Sequence, residues 1–128
     1  MAADSGEAAS NRQRALAISN AIVRLHREYY GRGATSARTI IQRDYAVCFL
    51  NDIYTPVERT LIEAGDHDQV LQTRNAFQRA MTEKFTAAVE EVMGRKVVAF
   101  LSQVHFDPDL AAEVFVLEPD GSDRGQEH

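Results

Sequence analysis

Apolar positions along this chain fall into two rhythms, one of three-and-four and one of runs and alternations, and they alternate in blocks. From about Asn11 to Tyr30, Ala15, Ile18, Ile22, Leu25 and Tyr29 recur at spacings of three and four, one stripe of an amphipathic helix. Gly31 supplies its left-handed stop. "ARTIIQRD" and "YAVCFLND" follow, rich in β-branched and aromatic residues, with a tight polar turn near Arg43 and Asp44. They read as a hairpin. A short helix over Pro56 to Ala64 ends at Gly65, and a long one runs from about His67 to Met93 and stops at Gly94. The inner face of the long helix should carry Val70, Phe77, Met81, Phe85, Ala88 and Val92. "RKVVAFLSQVHF" and "LAAEVFVLE" form a second hairpin, turned by Asp107 to Asp109.

The helix starts share one signal. Ser10 precedes Gln13, Thr55 precedes Glu58, and Asp66 precedes Gln69, each pair three residues apart. The short side-chain oxygen accepts from an orphan N–H, and the later residue reaches back. Pro56 adds a preset φ at the first helical position. The order is therefore α-β-β-α-α-β-β, each half repeating helix, Gly-Arg, strand, turn, strand. Paired hairpins with helices grouped apart predict an α+β, two-layer fold: a four-stranded antiparallel sheet with helices on one face. Runs such as "VVAFL" and "VCFL" put apolar side chains on both faces of the sheet. The face away from the helices then needs cover, most simply a second copy, so a homodimer through the sheet is expected.

Composition narrows the class. A chain of 128 residues, 45% hydrophobic and 26% charged, suits one globular domain. The domain is expected over residues 11–118. Residues 1–10 and 119–128 are small, polar or acidic without periodicity, and are expected to be disordered tails. No apolar run is long enough to span a bilayer, and "MAADSGEAAS" lacks the basic start and apolar core of a signal peptide. The lone Cys48 sits in an apolar strand, so it reads as a buried thiol in a reducing cytoplasm. A net charge of −5 argues against coating DNA or anionic lipid.

Candidate chemistry is sparse. Gly31-Arg32-Gly33 invites a phosphate reading, but a phosphate loop runs strand, glycines, helix, and here the helix comes first. A helix C-terminus repels anions, so the corner reads as a stop followed by a flexible turn, with Arg32 the one residue beside it able to hold an anion. His105, Asp107 and Asp109 sit as metal ligands would, yet one strand end offers no fourth ligand and Asp-Pro-Asp is what a turn favours. No metal and no cofactor are expected. His26 lies on a helix flank and His67 in a first turn; neither belongs to a triad, so no enzyme is expected. Arg74 stands apart. It is in register with Val70, Phe77 and Met81, facing the sheet, where a charge must find an acid, an edge or an anion. One arrangement joins it to Arg38 or Arg43 of the first hairpin as an anion pocket.

The stretches "LHREYYGRGATSARTIIQRDYAVCFLNDIYTPVERTL", "VLQTRNAFQRAM" and "EEVMGRKVVAFLSQVHFDPDLAAEVFVLEP" together resemble the small bacterial MpsC-type family over about residues 14–118. The family pattern falls on Gly31 and Gly33, on Thr55, Glu58 and Leu61, on Arg74, on Gly94 and Val97, and on Val114, Phe115 and Leu117. Ala34 stands where the family commonly has proline, and Tyr54 replaces a leucine. The resemblance implies a bacterial system of membrane-potential generation, cation translocation and inorganic-carbon uptake, and it implies no catalytic activity. Two readings result. One is a non-catalytic cytoplasmic module that binds or regulates a membrane-transport partner without inserting in the membrane. The other is a small anion or nucleotide sensor with its pocket between the long helix and the first hairpin, lined by Arg38, Arg43 and Arg74. A nucleic-acid partner is not expected, for want of a basic helix or stacking aromatics.

Overall fold

The computed structural model describes residues 2–119, with the backbone alone for residues 2–9. Three helices, α1 (Ala2–Tyr30), α2 (Pro56–Glu63) and α3 (His67–Met93), accompany four strands, β1 (Ser36–Gln42), β2 (Tyr45–Asn51), β3 (Val97–His105) and β4 (Leu110–Leu117). The chain order is the α-β-β-α-α-β-β expected, in the α+β class. α1 begins well before Asn11, so Ser10 lies inside the helix instead of capping it. The tail expected at 119–128 falls, apart from Pro119, outside the described residues.

The strands form one antiparallel sheet in the order β1-β2-β4-β3. Each hairpin contributes its second strand to the centre and its first to an edge. The helices pack on one side: α1 lies over β1 and β2 and against α3, and α3 lies over β3. Between the layers sit Ile18 and Ile22 of α1, Val70, Met81, Phe85 and Val89 of α3, and Cys48, Leu50, Phe115 and Leu117 of the sheet. Ten or so such side chains, at about 1.5–3 kcal/mol each, are the main stabilising term of the fold.

Both long helices turn slightly from the faces expected. On α1, His26 is buried and Tyr29 is half exposed, the reverse of the stripe read from sequence. On α3 the buried line is Val70, Arg74, Gln78, Met81, Phe85, Val89 and Met93, not Ala88 and Val92. Steps of four outnumber steps of three along that line, so it winds round the helix as α3 crosses the sheet. The physical reason for admitting His26 is local: its Nδ1 donates to the Ile22 carbonyl at 2.9 Å, and its ring stacks on Phe85 at 5.0 Å. Nδ1 is satisfied and the ring face packs as an aromatic, leaving Nε2 directed at the sheet.

The helix boundaries follow from their caps. Thr55 accepts from the Glu58 N–H and Glu58 reaches back to the Thr55 N–H, a complete capping box. Asp66, expected to cap α3 through its side chain, makes no such bond. Gly31, at φ 86, turns the chain out of α1 in the left-handed region that side chains avoid, and Gly94 ends α3 at φ 66. Gly33 serves differently: a Cβ there would meet both the Val23 side chain and the Val23 carbonyl at 3.0 Å. The Gly-Arg-Gly corner therefore folds the chain tightly back along α1 on its way to β1.

Candidate functional site

Arg74 is the residue on which the anion reading turned, and its surroundings are closed. It is 2% exposed, and Glu58 opposite is 4% exposed. Its Nε donates to Glu58 Oε2 at 2.7 Å, while Nη2 donates to Glu58 Oε1 at 2.7 Å and to the Ile53 carbonyl at 2.8 Å. Tyr30 donates its hydroxyl to the same carboxylate at 2.5 Å. The guanidinium carbon lies 4.2 Å from the Tyr30 ring centre and 5.3 Å from that of Tyr54, a cation sandwiched by two aromatics. Burial pushes the Glu58 carboxyl up, but the hydrogen bonds from Arg74, Tyr30 and the Thr55 N–H outweigh it and hold it below the usual range. Burial likewise pulls Arg74 down, and Glu58 overcomes this. Burial pushes the Tyr54 hydroxyl up to about 12. The capping box thus does a second job: the acid that caps α2 neutralises the buried cation of α3.

The other candidate arginines are scattered. Arg38 points from β1 to the face away from the helices, beside its partner Phe49. Arg43 sits at φ 53 in the β1–β2 turn, where its carbonyl accepts from Arg95 Nη1 at 3.0 Å. Arg32, at the opposite end of that hairpin, pairs with Asp52 at 2.7 Å. A seven-residue strand separates the two ends by roughly 23 Å. No pocket joins Arg38, Arg43 and Arg74, because a sheet layer and an ion pair lie between them. Asp52 instead gathers Arg32 and Arg59, and Arg59 reaches Asp109 at 3.6 Å, tying the two hairpin ends to the start of α2. His105 Nδ1 contacts the Pro108 carbonyl at 2.9 Å within the turn, while Asp109 Oδ1 accepts the Ile53 N–H at 2.8 Å and so ties the turn to the segment after β2. Among the described residues no three His, Cys, Asp or Glu side chains converge as a metal site.

The sheet has two contrasting faces. On the outer one, Ile40 pairs with Val47, Val47 with Val114, and Val114 with Leu101, an apolar row across all four strands. Tyr45 and Phe49 flank it on β2. Ile40, Tyr45, Phe49 and Leu101 are all exposed, at 47%, 54%, 38% and 60%. Polar residues mark three of the corners, Ser36 with Asn51, Gln42, and His105 with Gln103, while the fourth, at the start of β3, carries Ala99 and the exposed Val98. Arg38 is the one formally charged residue among these outward positions.

Beneath the helices, the row through Glu113 is polar. Thr39, Cys48, Glu113 and Ser102 are successive cross-strand partners from β1 to β3. Ser19 of α1 hydrogen-bonds Thr39 at 2.7 Å, and His26 Nε2 stands 3.8 Å from Glu113 Oε1. Glu113 is fully buried, and burial pushes its carboxyl up to about 7. Burial also holds the His26 imidazole below its ordinary value and pushes the Cys48 thiol up to about 11. Sequence reasoning missed this belt. The signal was present: Glu113 alternates in phase with Ala111, Phe115 and Leu117, the inward positions of β4.

The comparisons with known proteins bear on the whole domain. A family model described as "Na+-translocating membrane potential-generating system (MpsC)" matches residues 10–119. The uncharacterized protein YbcI of Bacillus subtilis (strain 168) is 31% identical over 86 residues, covering 65% of this chain and 68% of that protein. No solved structure matches.

Proposed function

Because the chain belongs to the MpsC family, we propose that it is a non-catalytic cytoplasmic module whose uncovered sheet face binds a second copy of itself. The dimer would serve as an accessory to a membrane cation-transport system. The family description supports the association. Among the described residues no helix is long and apolar enough to cross a membrane. In this proposal contact with such a system would run through a protein partner. The non-catalytic reading rests on accessibility. Arg74 and Glu58 are spent on each other, and His26, Cys48 and Glu113 lie between the layers, out of a substrate's reach.

The observation that carries the proposal is the apolar row Ile40–Val47–Val114–Leu101, with polar residues at three of the four corners of the face. Apolar centres with polar rims are how interfaces are built. Four strands about 4.8 Å apart give the face a footprint on the order of 500 Å², more once side-chain relief is counted. That approaches the roughly 800 Å² per partner of a standard interface. A second copy fits best because the outward positions carry no acid, so two such faces meet with only the Arg38 pair to keep apart. A two-fold axis also satisfies both copies at once. Sedimentation equilibrium at micromolar concentration should return twice the chain mass. A monomer at all accessible concentrations removes the proposal.

A further inference from the structure

The Glu113 belt contains one group that neither the fold nor the sheet-face reading uses. Glu113 is fully buried, and neither of its carboxylate oxygens has a hydrogen-bond partner. Groups from every surrounding element bear on it. From α1, His26 presents Nε2 at 3.8 Å. From β2 comes Cys48, its cross-strand partner, and from α3 the charge of Arg74, already matched by Glu58 of α2. Ser102 of β3 and Thr39 of β1 bring hydroxyls that do not titrate. The Cys48 thiol keeps its proton throughout the neutral range. That leaves His26 as the group able to exchange a proton with Glu113.

The tautomer of His26 is set by its other nitrogen. A carbonyl can only accept, so Nδ1 carries the hydrogen given to Ile22, and Nε2 of the neutral ring is a lone pair facing the carboxyl. Two bare acceptors would repel there. We propose that His26 and Glu113 hold one proton between them when α1 is seated on the sheet, and that seating moves it from the imidazole to the carboxyl. The Nε2–H bond breaks, the Glu113 O–H bond forms, and two opposite charges disappear as the layers close. No proton enters or leaves.

This arrangement cancels pH dependence. Glu113 alone, its carboxyl raised to about 7, contributes stability that is full below its ordinary value and lost as pH rises toward 7. His26 alone, lowered, contributes stability that is present above its ordinary value and lost as pH falls. Below about pH 6.5, and above both the ordinary carboxylate range and the lowered value at which the closed form's His26 takes up a proton, the open and closed forms each carry one proton on the pair, so the slopes offset. The device is a seam that stays shut across that range, and it is independent of whether the outer face dimerises.

Cys48 is the reporter. It is the chain's single cysteine, fully buried, and paired to Glu113, so alkylation requires the α1–sheet seam to open. Native labelling is divided by labelling of the denatured chain at the same pH, which removes the thiolate fraction. Wild type should change by less than about threefold between about pH 5 and about pH 7. E113Q leaves His26 alone, and its labelling should fall as pH rises toward about 6.5, by at most about tenfold per pH unit. H26Q leaves Glu113 alone, and its labelling should rise by about as much per unit from about pH 4.5 toward 7. Parallel slopes in the two variants, or a wild-type slope as steep as theirs, overturn the shared proton. Should either variant not fold, carbon NMR of the wild type decides: Glu113 titrating near 7 beside a neutral His26 supports the pair, and Glu113 titrating in the ordinary range of about 4–5 refutes it.

Discussion

Arg74→Met should lower the unfolding free energy by about 3–5 kcal/mol, the usual cost of stranding one half of a buried ion pair. The substitution keeps much of the volume between Tyr30 and Tyr54 but removes three hydrogen bonds at a stroke. Glu58 would remain 4% exposed with the Tyr30 hydroxyl and the Thr55 N–H as its donors. For a domain of this size the loss corresponds to a fall in Tm on the order of 10 °C or more. Arg74→Met/Glu58→Gln, which removes the stranded charge, should recover a large part of it, because the penalty lies in the unpaired carboxylate. The pH profile adds a sign. Glu58 is held below its ordinary value, so its contribution is present above that value and disappears as pH falls through the lowered one. In Arg74→Met that acid-side loss should begin at higher pH. Thermal melts showing Arg74→Met within about 1 kcal/mol of wild type would contradict the sealed-pair account.

Val114→Lys should abolish dimerisation while leaving the fold nearly untouched. Val114 sits mid-row on β4, facing outward between Val47 and Leu101. In a monomer the new ammonium reaches water along its flexible stem, and surface changes of this kind are usually within about 0.5 kcal/mol. In the dimer it would be buried at the centre, opposite its own copy, with no acid on the face to pair with. A desolvated, unpaired charge costs several kcal/mol, so the dissociation constant should rise by at least about a hundredfold. Sedimentation separates the outcomes. A Val114→Lys protein that keeps the wild-type mass places the interface elsewhere; one that unfolds shows that β4 faces inward at this residue.

The architecture was legible because its determinants are local. The Thr55–Glu58 box, the stops at Gly31 and Gly94 and the β-branched runs each act within a few residues, so the order of elements followed from them. The register of Arg74 with Val70 and Met81 likewise announced a buried cation. Its partner did not show, since Glu58 lies sixteen residues away and its capping role already explained it. The same economy hid Glu113. Apolar runs on β2 and β3 imply two greasy faces, and only the pleat, read strictly at period two, turns Glu113 of β4 inward, toward a helix whose apolar stripe favours Tyr29 over His26. Where α3 winds across the sheet, helical periodicity alone misplaces the last two turns. Non-local pairing and helix rotation are tertiary choices, and no local propensity encodes them.

Hydroxyl-radical footprinting at low and high protein concentration tests the outer face most directly. Tyr45 and Phe49 lie on that face, whereas Tyr29, also half exposed, lies on α1. Oxidation of Tyr45 and Phe49 should fall as concentration rises while that of Tyr29 stays constant. Equal reactivity of all three across the range, or protection confined to Tyr29, would show that the sheet stays bare and that this molecule meets its partners by some other surface.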